Sequence, residues 1–309
     1  MISQGLSRQE FESLKEKIRV GGYVNYTPTS STVETDPTKT GYATKQTLTT
    51  DTSAKWRILS INDNTGEVMI TTQGPVNSVT LNGITAYLYS STELHRLCQG
   101  LYSNSTLGLT AKSMTIEDLD KATGYVPLEF AGAYAWYPAD VNDNNMADVV
   151  INGRTYTARK HTESLANGFK KPRFYAWDDN AGQFHTSANE NGYNDTMSTN
   201  NPTLTSRRWY DYNPGANNSI INDIIGGDEN NRSWLASTSE SYYSGYECAD
   251  FDIRFVHSGR TGASLMCLSN GESNIKTFGM KPVIYFNINR IDVTDSTKNG
   301  SLSAAWEIK

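Results

Sequence analysis

The sequence predicts an α+β protein dominated by strands, and three observations lead there. Phe251, Ile253 and Phe255 alternate with Asp252 and Arg254, which is the period of a half-buried strand. Turn residues such as Asn62-Asp63-Asn64-Thr65-Gly66, Asn152-Gly153 and Ser258-Gly259 punctuate the chain. Hydrophobic residues make up only 37% of the sequence while Tyr, Ser, Thr, Asn and Gly abound, which favours short strands joined by long polar loops over a helical bundle. With 309 residues the chain can form one large domain or two small ones around a sizeable core.

Ser7 and Glu10 have the spacing of a capping box, and Phe11, Leu14 and Ile18 follow on one helical face. A first helix is therefore expected up to Gly21-Gly22, with residues 1–21 forming an N-terminal arm. Its apolar stripe suits its own domain better than a neighbouring subunit. Gly22 to Pro28 is expected as the first strand. Ser30 to Asp51, rich in Thr and Ser, is expected as a surface loop with little to bury. Trp56–Ile61 and Glu67–Thr72 should form a hairpin over the turn at 62–66, with Trp56 a core anchor rather than a ligand platform. Thr85 to Tyr102 is the clearest helix. Ser90 and Glu93 have capping-box spacing, Leu94, Leu97, Cys98 and Leu101 share a face, and His95 is read as a satisfied boundary residue.

Thr115 to Ala122 should be a second, shorter helix. Between about Phe130 and Asn213 the chain looks like an insertion. Val149–Ile151 and Arg154–Thr157 should pair across Asn152-Gly153, Arg173–Trp177 is a strand candidate, and Gln183–Asn201 is expected as an exposed loop. Ser206 to Tyr212 carries Arg207, Arg208, Trp209, Tyr210 and Tyr212. These could stack a sugar or base, although a strand with inward aromatics is favoured. Ser219 to Ile225 should be a short helix stopped by Gly226-Gly227.

Signals are densest from Ser233 to Phe286. Trp234-Leu235-Ala236 opens the stretch, a Tyr/Ser-rich segment follows, and Phe251–Val256 reads as a strand. Ala263–Leu268 returns as its partner, and Met280 to Phe286 closes the unit with Pro282 near its start. This order resembles the C-type-lectin-like modules of uncharacterised prophage and surface proteins of gut Firmicutes. Gly22–Pro28, Lys55–Ile61 and Leu101–Asn104 extend the resemblance over most of the chain. In those relatives the last strand usually reads Arg-Pro-Val-Val; here Lys281 replaces the arginine.

The resemblance implies a C-type-lectin-like fold with two flanking helices, spanning 22–290 and pairing its first and last strands, with 291–309 as a tail. It also implies a setting rather than a reaction. The protein would be displayed on a virion or extracellular surface, in contact with other virion subunits or its own copies, and would meet a host-surface protein or glycan. Diversified receptor-binding proteins of phages share the fold and vary C-terminal strands and loops. On that likeness Tyr242, Tyr243, Tyr246, Arg254, His257, Arg260 and Asn270 become candidate ligand contacts. The Tyr, Ser and Gly of Ser237–Glu247 add the composition of adaptable recognition loops.

Other classes are disfavoured. A net charge of −6, with basic residues only in short clusters such as Lys170-Lys171, argues against a broad nucleic-acid surface. No apolar run is long enough to span a bilayer, so no membrane insertion is expected. The polar N-terminus lacks the apolar core of a secretory signal, which a particle released by lysis does not need and which a cytoplasmic protein also lacks. Of the cysteines Cys98, Cys248 and Cys267, the last two flank the expected hairpin, leaving a disulfide geometrically open beside the favoured reading of buried thiols.

Asp140, Asn142, Asn144 and Asp148 stand at the first, third, fifth and ninth places of an Asn/Asp-rich run, the alternation of Ca²⁺ loops. Asn145 occupies the usual glycine position and Ile151 that of a closing glutamate, so an ordinary turn is an equal reading. Ca²⁺ is the one cofactor raised. The Glu-Pro-Asn, Gln-Pro-Asp and Trp-Asn-Asp triplets of sugar-binding C-type lectins do not occur, nor do a Gly-x-Ser-x-Gly elbow, a Walker loop or the paired cysteines of formylglycine-generating enzymes. A non-enzymatic binding protein is the reading that follows. A glycan-active enzyme using carboxylates not yet singled out, or a general interaction module, are its alternatives.

Overall fold

The computed structural model describes residues 7–37, 42–124, 219–225, 231–243, 248–257, 260–268 and 273–309, together with the backbone of seven short strands between 134 and 184. Helix α1 (Arg8–Ile18) starts as its sequence dictates. The Ser7 hydroxyl accepts from the Glu10 amide at 3.2 Å and the Glu10 carboxylate accepts from the Ser7 amide at 2.8 Å. Phe11 and Ile18 are fully buried. Gly21, at φ 91°, then turns the chain into β1 (Tyr23–Asn25), a conformation that residues with a Cβ rarely adopt.

The segment expected as an unburied loop is instead a hairpin, β2 (Thr32–Glu34) with β3 (Thr47–Thr49), and it buries Thr35, Tyr42 and Leu48. Hydroxyl groups carry this burial. The Thr50 hydroxyl donates to the Leu101 carbonyl at 2.9 Å, and Tyr42 donates to Glu93 at 3.1 Å. Satisfied Thr and Tyr side chains enter a core that a hydropathy pattern does not register.

Strands β4 (Trp56–Ile61) and β5 (Glu67–Thr72) form the expected hairpin, and β6 (Val76–Asn82) runs directly into α2 (Gly83–Tyr102). Leu94, Leu97, Cys98 and Leu101 line the buried face of α2. Ser90 and Glu93 lie inside this helix rather than at its start. Ser90 is buried, and Glu93 binds Tyr42 and Arg96. Next come β7 (Ala111–Ser113) and α3 (Ile116–Thr123), followed by β8 (Tyr134–Ala135), β9 (Met146–Ile151), β10 (Arg154–Arg159), β11 (Thr162–Ser164), β12 (Lys170–Pro172), β13 (Tyr175–Asp178) and β14 (Gln183–Phe184). The β9–β10 pair has Ile151 opposite Arg154, the register that an Asn-Gly hairpin requires. Ser206–Tyr212 lies outside the described residues. Helix α4 (Ser219–Ile225) has the expected bounds.

The C-terminal quarter forms β15 (Ser233–Tyr243), β16 (Cys248–His257), β17 (Arg260–Leu268), β18 (Ile275–Met280), β19 (Pro282–Asn287), β20 (Ile291–Asp292) and β21 (Trp306–Ile308). Among the described residues two larger sheets organise the molecule. One has the order β20-β21-β1-β4-β5-β19-β7 and the other β17-β16-β15-β18-β6. Met280–Phe286, expected as one strand, is divided between them. Lys281 is the crossover, and Pro282 opens β19, where a missing amide does least harm. The tail is no appendage. The first strand pairs with β21, in parallel and with Val24 opposite Trp306, while β4 and β5 stand between β1 and β19. Tyr23–Asn25 and β19 thus share a sheet roughly 14 Å apart rather than pairing.

Both faces of the seven-stranded sheet are covered. Ile58, Ile70 and Ile284 join the larger core with Trp56, Trp234 and α2; the alternate residues Leu59, Met69 and Val283 join a smaller one with Leu119 of α3 and Ile224 of α4. Double coverage explains why these strands read as near-continuous apolar runs. The register also settles the cysteines in the hairpin. Cys267 stands opposite Phe251, three residues from Cys248, so about 10 Å of strand separates the two, beyond the reach of a disulfide at roughly 7 Å.

Candidate functional site

The strand register sorts the candidate contacts into two groups. Tyr242 pairs with Ala249 and Tyr243 with Cys248, so both stand at the end of β16 that the last residues of β17 also reach. His257 pairs with Arg260 at the opposite end. An extended ten-residue strand separates these ends by roughly 30 Å, so the candidates do not make one site. Tyr246 and Asn270 lie outside the described residues. Arg254 needs correcting. It is 1% exposed, among the largest fully buried side chains, and is not available as a surface contact. The reason is that β16 is interior to its sheet and covered on both faces. Ile253 and Phe255 belong to the larger core and Val256 to the smaller, so burial runs unbroken from Asp252 to Val256 instead of alternating.

The His257 end carries a stack of rings. Phe255 lies 5.2 Å from the His257 ring and 4.9 Å from Phe278, and Phe278 lies 4.3 Å from Trp234. These rings meet because Trp234 is opposite Phe255 in the β15–β16 ladder while β15 also pairs with β18. The Arg232 guanidinium sits over both Phe255 and Phe278, at 5.3 and 5.5 Å. Such contacts are worth about 0.5–2 kcal/mol each.

Beside the stack a cavity of about 400 Å³ opens over the β6–β18 ladder, lined by Asn77, Ser78, Arg232, Thr277, Phe278 and Gly279 among others. Its wall is a break in the ladder. Gly279 pairs with Ser78 but Met280 with Val76, leaving Asn77 as an extra residue at φ 37°. The Asn77 amide holds that conformation by donating to the Thr49 carbonyl at 3.0 Å and accepting from the Tyr102 hydroxyl. A Cβ at Gly279 would lie 2.4 Å from the Pro75 side chain, so only glycine lets the strands approach here. Sequence reasoning missed Arg232, Asn77 and Phe278. The one available signal was Gly279, an isolated glycine in a strand pattern, which marks a bulge or close approach.

A second polar cluster joins α2, β7, α3 and β19. Buried Asp118 accepts from Lys112 at 3.0 Å, from the Thr115 amide at 2.8 Å and from the Tyr285 hydroxyl. Burial, then the Asp118 charge, pushes the Tyr285 hydroxyl well above the usual tyrosine range. These bonds commit both Asp118 oxygens, making the group a clamp for α3 rather than a general base. Nearby, His95 Nδ1 accepts from the Ser113 amide at 3.1 Å, and burial followed by the Lys112 charge lowers its pKa. A depressed folded pKa means that the unfolded chain binds the proton more readily. The stability linked to His95 is therefore complete above the ordinary histidine pKa of about 6.5 and lost as pH falls below it. His95→Gln should flatten the slope of unfolding free energy against pH between roughly pH 5 and 7; an unchanged slope would assign it elsewhere. Burial also pushes the Cys98 thiol up to about 12, which leaves it inert as a nucleophile at neutral pH.

Among the described residues no three His, Cys, Asp or Glu side chains come together as a metal site. Of the Ca²⁺ candidates, Asp140, Asn142 and Asn144 lie outside the described residues, while Asp148 is placed by its backbone on β9, opposite Thr157. If the run binds Ca²⁺ in the folded state only, a level one hundred times the dissociation constant adds about 2.7 kcal/mol, and melting curves with excess Ca²⁺ and with chelator separate accordingly. Coincident curves at millimolar Ca²⁺ would make it an ordinary turn. No family model matches the chain, and no curated protein or solved structure does either.

Proposed function

We propose that the chain is a non-enzymatic, C-type-lectin-like protein displayed on a phage or prophage particle, and that its C-terminal strands bind a host-surface glycan or protein. The observation that carries this reading is the β15–β16–β17 meander. Its strands are anchored by buried Trp234, Ile253 and Phe255; by register Tyr242 and Tyr243 stand at one end, and the Arg232–Phe278 stack and cavity lie at the other. A rigid scaffold carrying polar and aromatic groups at its strand ends is the usual plan of a binding module. A non-catalytic role gains support from Asp118, Glu93 and Lys281, whose polar atoms are engaged in holding the fold.

The experiment is to purify particles from producing cells and identify their proteins by mass spectrometry, then ask whether the isolated protein competes with those particles for host cells. Presence in particles together with competition is the expected outcome. Absence from particles, or no competition at saturating protein, removes the reading.

A further inference from the structure

We propose that α4 is a detachable strap. It lifts from the seven-stranded sheet in a local opening that leaves the two larger sheets folded, and Lys281 and Arg57 are its fasteners. The first observation is its own composition. Isoleucine stands at 220, 221, 224 and 225, four of the seven residues of α4. β-Branched side chains lose rotamer freedom in a helix, and a helix this short does not hold itself in water. The segment is therefore helical only while it is docked. The second observation is how it docks. Ile221, Ile224 and Ile225 are buried with Leu59, Met69 and Val283 in the smaller core, but Ile220 is 46% exposed and the Asp223 side chain 62%.

The third observation is that the fastenings come from outside the helix. The Ile224 carbonyl, near its C-terminal end, accepts from the Lys281 ammonium at 2.6 Å and from the Gly74 amide at 3.2 Å. A cation there also meets the negative end of the helix dipole. Asp223 pairs with Arg57, which in addition donates to the Gly21 carbonyl and to Gln73. At the other end Ile220 rests on the Gly21 turn, where an added Cβ would lie 2.6 Å from its side chain. The fourth observation is a flaw in the docked state. Asn222 Oδ1 is buried without a hydrogen-bond partner among the described residues. Lifting α4 returns that oxygen to water, which offsets part of what the three isoleucines contribute. Strands β4 and β5, by contrast, are paired on both sides within the sheet and covered on both faces, so nothing local releases them. Opening the strap bares the Lys281 ammonium and part of the smaller core, and so gives the sheet's second face a second state.

The test is native-state hydrogen exchange on the intact protein, read residue by residue by NMR in water and in urea below the unfolding transition. The amides of Asp223, Ile224 and Ile225 report on the helix, and that of Gly74 on its docking. These four should exchange roughly a hundredfold or more faster than the amides of β4 and β5, with a weaker urea dependence, because little surface opens. Trp234→Phe, in the larger core, should speed β4 and β5 about five- to a hundredfold and leave the four strap amides unchanged. Two further variants act on the strap itself. Asp223→Asn removes the charge pair and should speed the four amides about two- to fivefold, the range for an exposed ion pair. Asn222→Ala removes the unpaired oxygen and favours the helix, so it should slow them roughly tenfold. Equal rates in α4 and the sheet, or strap amides that speed up with the sheet in Trp234→Phe, would overturn the strap. Strap amides that ignore both Asp223→Asn and Asn222→Ala would overturn its fastening.

Discussion

Replacing Lys281 by methionine is expected to lower stability by about 3–5 kcal/mol, with an unfolding midpoint roughly 5–10 °C lower. Lys281 is fully buried at the crossover between the two sheets, and its ammonium donates to the carbonyls of Thr72 at 2.7 Å, Gly74 at 3.0 Å and Ile224 at 2.6 Å. Those carbonyls belong to the end of β5, the turn after it and the end of α4, so one side chain fastens the end of an interior strand to a helix. Methionine has nearly the same length and volume, so the substitution removes donors without opening a cavity. All three carbonyls then lose a charged donor, at about 1–3 kcal/mol for each bond. Gly74 still accepts from the Thr72 hydroxyl at 2.9 Å and Ile224 from the Gly74 amide at 3.2 Å, and no ammonium has to be desolvated, which offsets part of the loss. Lys281→Arg keeps the donors. It should fall between the two, losing about 1–3 kcal/mol to overpacking. Burial, then the Arg57 charge, sets the Lys281 pKa well below the ordinary lysine range. The unfolded chain therefore binds the proton over the interval between the folded pKa and about 10.4, and the stability linked to Lys281 grows as pH rises through it. Urea titrations at neutral pH and near pH 10 should show a wider gap between wild type and Lys281→Met at the higher pH. A gap below about 1 kcal/mol at both would mean that water replaces the ammonium.

The elements legible in the sequence were those whose stability is local. The Ser7–Glu10 capping box, the 62–66 turn between two apolar runs, the stripe Leu94–Leu101 and the seven residues of α4 each state their structure within about ten residues. What was not legible depended on partners far along the chain. Met280–Phe286 reads as one apolar strand because nothing nearby shows that Lys281 meets carbonyls more than fifty residues away at Ile224 and more than two hundred away at Thr72 and Gly74. The alternation Phe251, Ile253, Phe255 suggested one wet face, yet Asp252 and Arg254 are buried as well, because a second core covers that side. Ser90-x-x-Glu93 has the letters of a cap but lies within a helix that begins at Gly83, where Asn82 takes the cap position without a side-chain bond. The candidate site divides along the same line. His257 was raised only through the family resemblance, while Arg232 and Asn77 come to the cavity through a ladder irregularity that only the pairing of β6 with β18 creates.

Trp234→Ala should be the other large effect, a loss of about 3–5 kcal/mol, because the side chain is wholly buried where four strands of one sheet converge. Its indole donates to the Val79 carbonyl on β6 at 2.9 Å, its ring packs on Phe278 of β18, and Phe255 of β16 stands opposite it. Trp234→Phe separates packing from hydrogen bonding. It keeps an aromatic ring and leaves the Val79 carbonyl without its donor, so it should cost about 1–3 kcal/mol, well short of the alanine value. The loss should also be coupled to its neighbour. In a double-mutant cycle with Phe278→Leu, the two changes should differ from additivity by roughly 0.5–1.5 kcal/mol, since each removes the other's ring partner. Hydrogen exchange adds a spatial check. In Trp234→Ala, protection should fall first in β18 and β6, on either side of the cavity, while α1 and the β4–β5 hairpin keep theirs relative to the lower global stability. Uniform loss across all elements would mean that Trp234 supports the whole core evenly, and that the cavity wall does not depend on it.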